Sequence, residues 1–77
     1  MKAAILISVE VNKLSGVLNE VKKVSGVKEA FSVAGRADIV AIIEAKDLNE
    51  LSKISVKLNS ILGVSTTETL IEAKVGE

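Results

Sequence analysis

The sequence predicts an α+β protein of element order βαββαβ, a two-layer sandwich in which two helices cover one face of an antiparallel sheet. Two observations support this fold class. A shift of 37 positions superposes apolar residues of the two halves, so that Leu14, Val17, Val21 and Val24 fall on Leu51, Ile54, Leu58 and Ile61. Each half also contains an Ile- and Val-rich run, apolar residues at helical spacing, a glycine and a second β-forming run. We expect one domain over residues 1–77.

The first half is predicted as strand, helix and strand. Residues 3–11 form the first strand, and Asn12 is a suitable N-cap for the helix that follows. The apolar face of this helix consists of Leu14, Val17, Leu18, Val21 and Val24. Gly26 stands where a left-handed residue ends a helix, and residues 27–34 form the second strand.

The second half repeats this order. Residues 39–46 form the third strand, and Asp47 with Glu50 three positions later resembles a capping box. The helix face consists of Leu48, Leu51, Ile54, Ser55, Leu58, Ile61 and Leu62. Gly63 closes this helix, and residues 64–74 form the last strand.

Two strand-helix-strand units with right-handed crossovers give the ferredoxin-like arrangement. We expect the first and third strands at its centre, parallel to each other. One face of these strands would carry Ile5, Ile7, Val9, Val40 and Ile42, and the other Ala4, Leu6, Ile39, Ala41 and Ile43. Because the helices cover a single face, the second apolar face predicts dimerisation through the sheet.

Composition excludes several classes of function. With no Cys and no His, the chain has no thiolate or imidazole, so we expect no enzyme, no cofactor and no metal site. Ten positive against ten negative charges, with Phe31 as the sole aromatic residue, argue against direct nucleic-acid binding. The longest apolar run, residues 3–7, is too short for a bilayer, which predicts a cytoplasmic protein. The absence of Gln and Cys favours a thermophilic source.

The segment 34–38 is the first candidate site. As a plain turn, Gly35 would supply a positive φ and Asp38 would accept backbone hydrogen bonds. As a binding loop, its backbone N–H groups would face a carboxylate while Arg36 and Asp38 recognise charge. Both interpretations remain open at this point.

The segment 65–69 is the second candidate. Thr67 and Thr69 lie two apart on a strand, so both hydroxyls project from one face. Threonine favours strands in any case, so these residues are either ordinary strand formers or a pair of hydroxyls that line a polar site.

At these two segments the chain resembles the effector-binding (RAM) domain of the Lrp/AsnC transcriptional regulators. The resemblance consists of a G-x-x-D loop at residues 35–38 and a GV-x-x-T-x-T strand at residues 63–69, within the βαββαβ order. Family members carry an N-terminal helix-turn-helix, whereas this sequence begins with the first strand, so we expect a stand-alone effector domain. The family loop often has an aromatic residue before its Asp, where this chain has Ala37.

The resemblance implies a small amino-acid sensor that regulates transcription. Family members dimerise through their sheets and assemble further, commonly into octamers, with a free amino acid bound where dimers meet. By motif position, Gly35 and Arg36 would offer N–H groups to the ligand carboxylate and Asp38 would pair with its ammonium. Thr67 and Thr69 would add hydrogen bonds, and full-length Lrp/AsnC regulators would be partners in mixed oligomers. The alternative is a purely structural assembly module without a ligand, which Asp38→Ala should leave unchanged.

Overall fold

The computed structural model describes residues 1–76 and contains six elements in the predicted order. These are β1 (Lys2–Val9), α1 (Leu14–Lys22), β2 (Val27–Ser32), β3 (Ile39–Glu44), α2 (Leu48–Asn59) and β4 (Val64–Ile71). The strands form one four-stranded sheet in the order β2-β3-β1-β4, and all three neighbouring pairs are antiparallel. The predicted ferredoxin-like sandwich is confirmed.

The expectation that the two central strands run parallel is wrong. β1 and β3 are indeed central, but they pair antiparallel, with Ile5 opposite Ala41 and Ile7 opposite Ile39. The crossover through α1 returns β2 in the direction of β1, and the connection from β2 to β3 then reverses the chain. Since β3 lies between β1 and β2, it is antiparallel to both.

The predicted division of the central strands into faces is wrong as well. The face beneath the helices carries the fully buried Ile5, Ile7, Ile39, Ala41 and Ile43. The other face, here called the open face, carries Ala4, Leu6, Val40 and Ile42, with Phe31 and Leu70 opposite them on the edge strands. The prediction grouped Val40 and Ile42 with Ile5 and Ile7. Relative to β1, the prediction placed the side chains of β3 on the wrong faces. A shift of one residue in register is enough for this, because it moves every side chain of a strand to the opposite face.

The helices pack one apolar stripe onto the sheet. Their buried residues are Val17 and Val21 of α1, and Leu51, Ile54 and Leu58 of α2. Val17 and Val21 correspond to Ile54 and Leu58 under the 37-residue shift. The residues that the internal repeat superposes therefore occupy equivalent positions in the core of the two halves.

The two helices begin differently. At α2, the Asp47 side chain accepts a hydrogen bond from Glu50 N (2.8 Å), which confirms the predicted cap, while Glu50 Oε1 accepts one from Lys46 N (2.7 Å), the residue before the N-cap, and not from Asp47 N as in a full capping box. At α1, the N-cap is Lys13 and makes no side-chain cap bond, so the expectation for Asn12 is wrong. Asn12 instead adopts a left-handed conformation with φ of 66°.

The elements end earlier than their patterns suggest. Each strand stops two or three residues before its predicted end, and α1 stops at Lys22 although apolar spacing continues to Val24. Gly26 and Gly63 have φ of 98° and 103°, as predicted for left-handed residues that follow a helix. These glycines turn the chain into β2 and β4 respectively.

Candidate functional site

The loop between β2 and β3, residues 33–38, is held at its base by backbone hydrogen bonds. Val33 N donates to Asp38 O and Asp38 N donates to Ile7 O, both at 2.9 Å. Gly35 has a φ of 136°, a conformation that favours glycine. Gly35 and Arg36 are exposed at the tip of the loop, above this hydrogen-bonded base.

Asp38 has a structural role at the foot of this loop. Its Oδ2 accepts a hydrogen bond of 2.9 Å from Val9 N, and the residue is half-buried. The contact lies where the pairing of β1 with β4 shifts register between Ser8 and Val9. Asp38 therefore satisfies a backbone N–H group at an irregular point of the central strand, as the turn interpretation expected.

Arg36 connects the loop to β4 across the open face. Its Nη2 donates a hydrogen bond of 2.9 Å to Glu68 Oε1, and the two side chains are 78% and 48% exposed. Glu68 is opposite Leu6 in the register, which places it on the open face. Sequence analysis missed Glu68, although its position between the two threonines already placed it on the opposite face from them.

Thr67 and Thr69 project from one face, as predicted, and that face is the one covered by helices. They lie opposite the buried Ile7 and Ile5. Thr67 Oγ1 donates to Asn59 Oδ1 (3.4 Å), and Thr69 Oγ1 lies 3.3 Å from Ser55 Oγ. Both partners are on α2. Within one chain, the two threonines and the Arg36–Glu68 pair therefore lie on opposite faces of the sheet.

Thr69 borders a groove of about 320 Å³ between α2 and the edge strand β4. The groove is lined by Leu48, Leu51, Ser52, Ser55, Val56, Thr69 and Ile71. Its walls are mainly apolar, with hydroxyl groups from both elements. Of the five predicted site residues, Thr69 is the one that lines it.

The ion pair of the N-terminus lies far from the loop. The N-terminal ammonium contacts Glu44 Oε2 at 2.9 Å, and this hydrogen bond, followed by the Coulomb attraction of the same ammonium, lowers the pKa of Glu44. Glu44 is at the other end of β3 from Asp38. Within residues 1–76, acidic side chains form no cluster able to hold a metal ion. Across the same residues, neither helix has the length and apolar character needed to cross a membrane.

The family comparison covers nearly the whole chain. The sequence profile of the Lrp/AsnC ligand binding domain matches residues 2–75. Homocitrate synthase of Sulfurisphaera tokodaii is 37% identical over 60 residues, which are 78% of this chain and 13% of that enzyme. The chain thus corresponds to a small part of this curated relative.

Solved structures agree with this match. The protein TTHA0845 of Thermus thermophilus superposes with a TM-score of 0.91 at 30% identity, covering 99% of this chain and 96% of that one. The transcriptional regulator NMB0573 of Neisseria meningitidis, solved as a complex with L-Met, gives a TM-score of 0.80 at 20% identity. That superposition covers 99% of this chain and 52% of the regulator, and it shows a shared fold.

Proposed function

We propose a function from one premise, that the chain belongs to the Lrp/AsnC ligand-binding domain family. The proposed function is that of a regulatory sensor, which binds a free amino acid where copies of the domain meet. The match to the family profile over residues 2–75 carries this proposal. The complex of the Neisseria regulator with L-Met supports an amino acid as the class of ligand.

The β2–β3 loop is the proposed centre of the site. Its exposed tip leaves the backbone groups of Gly35 and Arg36 accessible to a ligand carboxylate, and the guanidinium of Arg36 adds a positive charge. Asp38 would face the ammonium through the carboxylate oxygen that does not contact Val9. Thr67 and Thr69 lie on the other face of the sheet, so we propose that they contribute to a ligand held by a neighbouring copy.

Association through the open face is part of the same proposal. Ala4, Leu6, Val40 and Ile42 are only half-buried there although all four are apolar, and Leu70 at the edge is 48% exposed. A contiguous apolar sheet face of this kind is typical of a protein interface. We propose a homodimer that assembles further, to an octamer or a similar ring, and that joins full-length Lrp/AsnC regulators in mixed oligomers.

We propose no catalytic activity for the domain. The family is defined by ligand binding, and the segment similar to homocitrate synthase is a small part of that enzyme. A ligand that binds only assembled copies would stabilise the assembly by mass action, by about 2.7 kcal/mol at a concentration of 100 Kd. This coupling of ligand binding to assembly is enough for a domain to respond to an amino acid without catalysing a reaction.

The first experiment measures thermal unfolding and light-scattering mass with each of the twenty amino acids at millimolar concentration. A sensor predicts that one or a few of them raise the Tm or change the mass. Asp38→Asn is the matched variant, because the Asn side-chain oxygen still accepts from Val9 N while the charge is removed. Asp38→Ala would confuse the outcome, since it leaves that N–H group without a partner.

The expected result for Asp38→Asn is loss of the amino-acid effect with little change in unliganded Tm. If no amino acid changes either quantity while the protein is oligomeric, the sensor proposal fails. The structural assembly module then becomes the better description of the chain.

A further inference from the structure

The open face is apolar over most of its area and ends in a polar cluster beside the β2–β3 loop. Ser8 and Thr66 are opposite each other in the register, two pairs beyond Leu6 and Glu68. Alternate residues of a strand share a face, so the side chains of Ser8 and Thr66 lie on the same side as Glu68. Arg36 completes the cluster from the loop. This polar end therefore holds one cation, one anion and two hydroxyl groups.

The Arg36–Glu68 pair leaves most of its hydrogen-bonding capacity unused. Arg36 is the chain's sole arginine, and its guanidinium makes one contact, from Nη2 to Glu68 Oε1. A guanidinium has five N–H donors in a fork that matches a carboxylate. Among residues 1–76, no other protein group accepts from these donors, and Glu68 Oε2 likewise accepts no hydrogen bond. Both charges are therefore available to a further group.

Glu68 is the more accessible of the two carboxylates near the loop. Asp38 is half-buried and already accepts from Val9 N, whereas Glu68 is half-exposed and its fixed partner is a single guanidinium nitrogen. A ligand ammonium can reach Glu68 without disturbing a backbone hydrogen bond of the sheet. At Asp38, by contrast, Oδ2 is engaged by Val9 N, which leaves one carboxylate oxygen for an ammonium.

We infer that Arg36 and Glu68 together recognise the zwitterionic end of the amino acid, with Arg36 binding the α-carboxylate and Glu68 adding a second anion, beside Asp38, for the α-ammonium. This inference rests on the proposed function and assigns a role to Glu68, which occupies the variable position of the T-x-T motif. The carboxylate and the ammonium of a free amino acid are both bonded to the α-carbon. They are therefore close enough together to contact a cation and an anion that are themselves in contact, as Arg36 and Glu68 are. A second copy packed on the open face would exclude water from the pair and strengthen both interactions.

The test compares dissociation constants of the wild type, Glu68→Gln and Arg36→Gln by calorimetric titration. The probes are the twenty proteinogenic L-amino acids, with L-methionine first, and the N-acetyl form of each one that binds. N-acetylation removes the ammonium and keeps the carboxylate. Glu20→Gln is the matched control, since Glu20 is an exposed α1 residue whose ion pair with Lys23 lies on the helix side of the sheet, away from the open face.

The inference predicts that Glu68→Gln weakens binding of the amino acid about ten-fold or more and leaves binding of its N-acetyl form unchanged. Arg36→Gln should weaken binding of both forms, and Glu20→Gln should weaken neither. If Glu68→Gln binds the amino acid as well as the wild type, or more tightly, this inference is wrong while the proposed function stands. If none of the twenty amino acids binds the wild type, both fail.

Discussion

Gly26 is a residue whose backbone and surroundings both require the absence of a side chain. Its φ is 98°, and a Cβ built there would lie 2.5 Å from Ile54 Cδ1 and 3.3 Å from Ile54 Cγ1. The close approach brings the turn after α1 against the core-facing side of α2. Gly16 in α1 is the opposite case, since nothing lies within 4 Å of a Cβ there.

These two glycines should respond to alanine in opposite directions. Gly26→Ala is expected to lower the free energy of unfolding by about 1–3 kcal/mol, because it combines left-handed strain with overpacking against Ile54. Gly16→Ala should raise it by up to about 1 kcal/mol, since alanine is favoured within a helix. Denaturant unfolding of both variants checks the pair. If the two substitutions changed the free energy of unfolding by the same amount and in the same direction, the backbone conformations and surroundings described for Gly16 and Gly26 would be wrong.

The local structure of the candidate site residues was predicted from the sequence in part, while their role in binding stays a prediction. The turn role of Gly35 and the hydrogen-bonding role of Asp38 follow from residue type, and both are present in the structure. Thr67 and Thr69 were correctly placed on one face, but period two cannot say which face is covered by helices. Glu68 was missed because its relation to Arg36 depends on the register of β4 against β1, which is a tertiary property.

At the scale of elements, the two halves of the repeat differ most at their helix starts. α2 is capped by the Asp47 side chain, whereas α1 has no side-chain cap. Periodicity located both helices, since their buried faces follow directly from apolar spacing. Periodicity could not predict the direction or register of neighbouring strands, because both depend on the order of the strands in the sheet.

Removal of the Asp47 cap of α2 should measurably reduce the stability of the protein. Asp47→Ala should lower the free energy of unfolding by about 0.5–2 kcal/mol, because Glu50 N loses its acceptor at the helix start. Asp47→Ser keeps a capping oxygen and should cost less. Urea midpoints of the two variants provide the comparison, and an equally large loss for serine would show that the cap is not the cause.

At the scale of the whole molecule, the chain exposes more surface than its mass suggests. Its accessible area is 5104 Å², against about 4,500 Å² expected for a compact monomer of 8.1 kDa. Residues 72–76, which follow β4 and are all exposed, contribute to this excess. Association through the sheet, subunit number, cellular location and thermophilic source stay predictions.

A charge at the centre of the open face should separate the copies. Leu6→Lys is expected to reduce the light-scattering mass toward the 8.1 kDa of one chain, because an ammonium would be buried at the proposed interface. In the separated chain the same ammonium faces water, so the fold should persist by circular dichroism. Asn19→Lys, at an exposed position of α1, is the control and should keep the wild-type mass. An unchanged mass for Leu6→Lys would exclude this face as the interface.

The central place of β1 also has a consequence for synthesis on the ribosome. β1 is made before the other five elements, yet its two sheet partners, β3 and β4, begin only at residues 39 and 64. At roughly 5–20 residues per second, the apolar residues of β1 are without both sheet partners for several seconds. Until β3 and β4 have been made, residues 2–9 are therefore an apolar segment that a chaperone can bind.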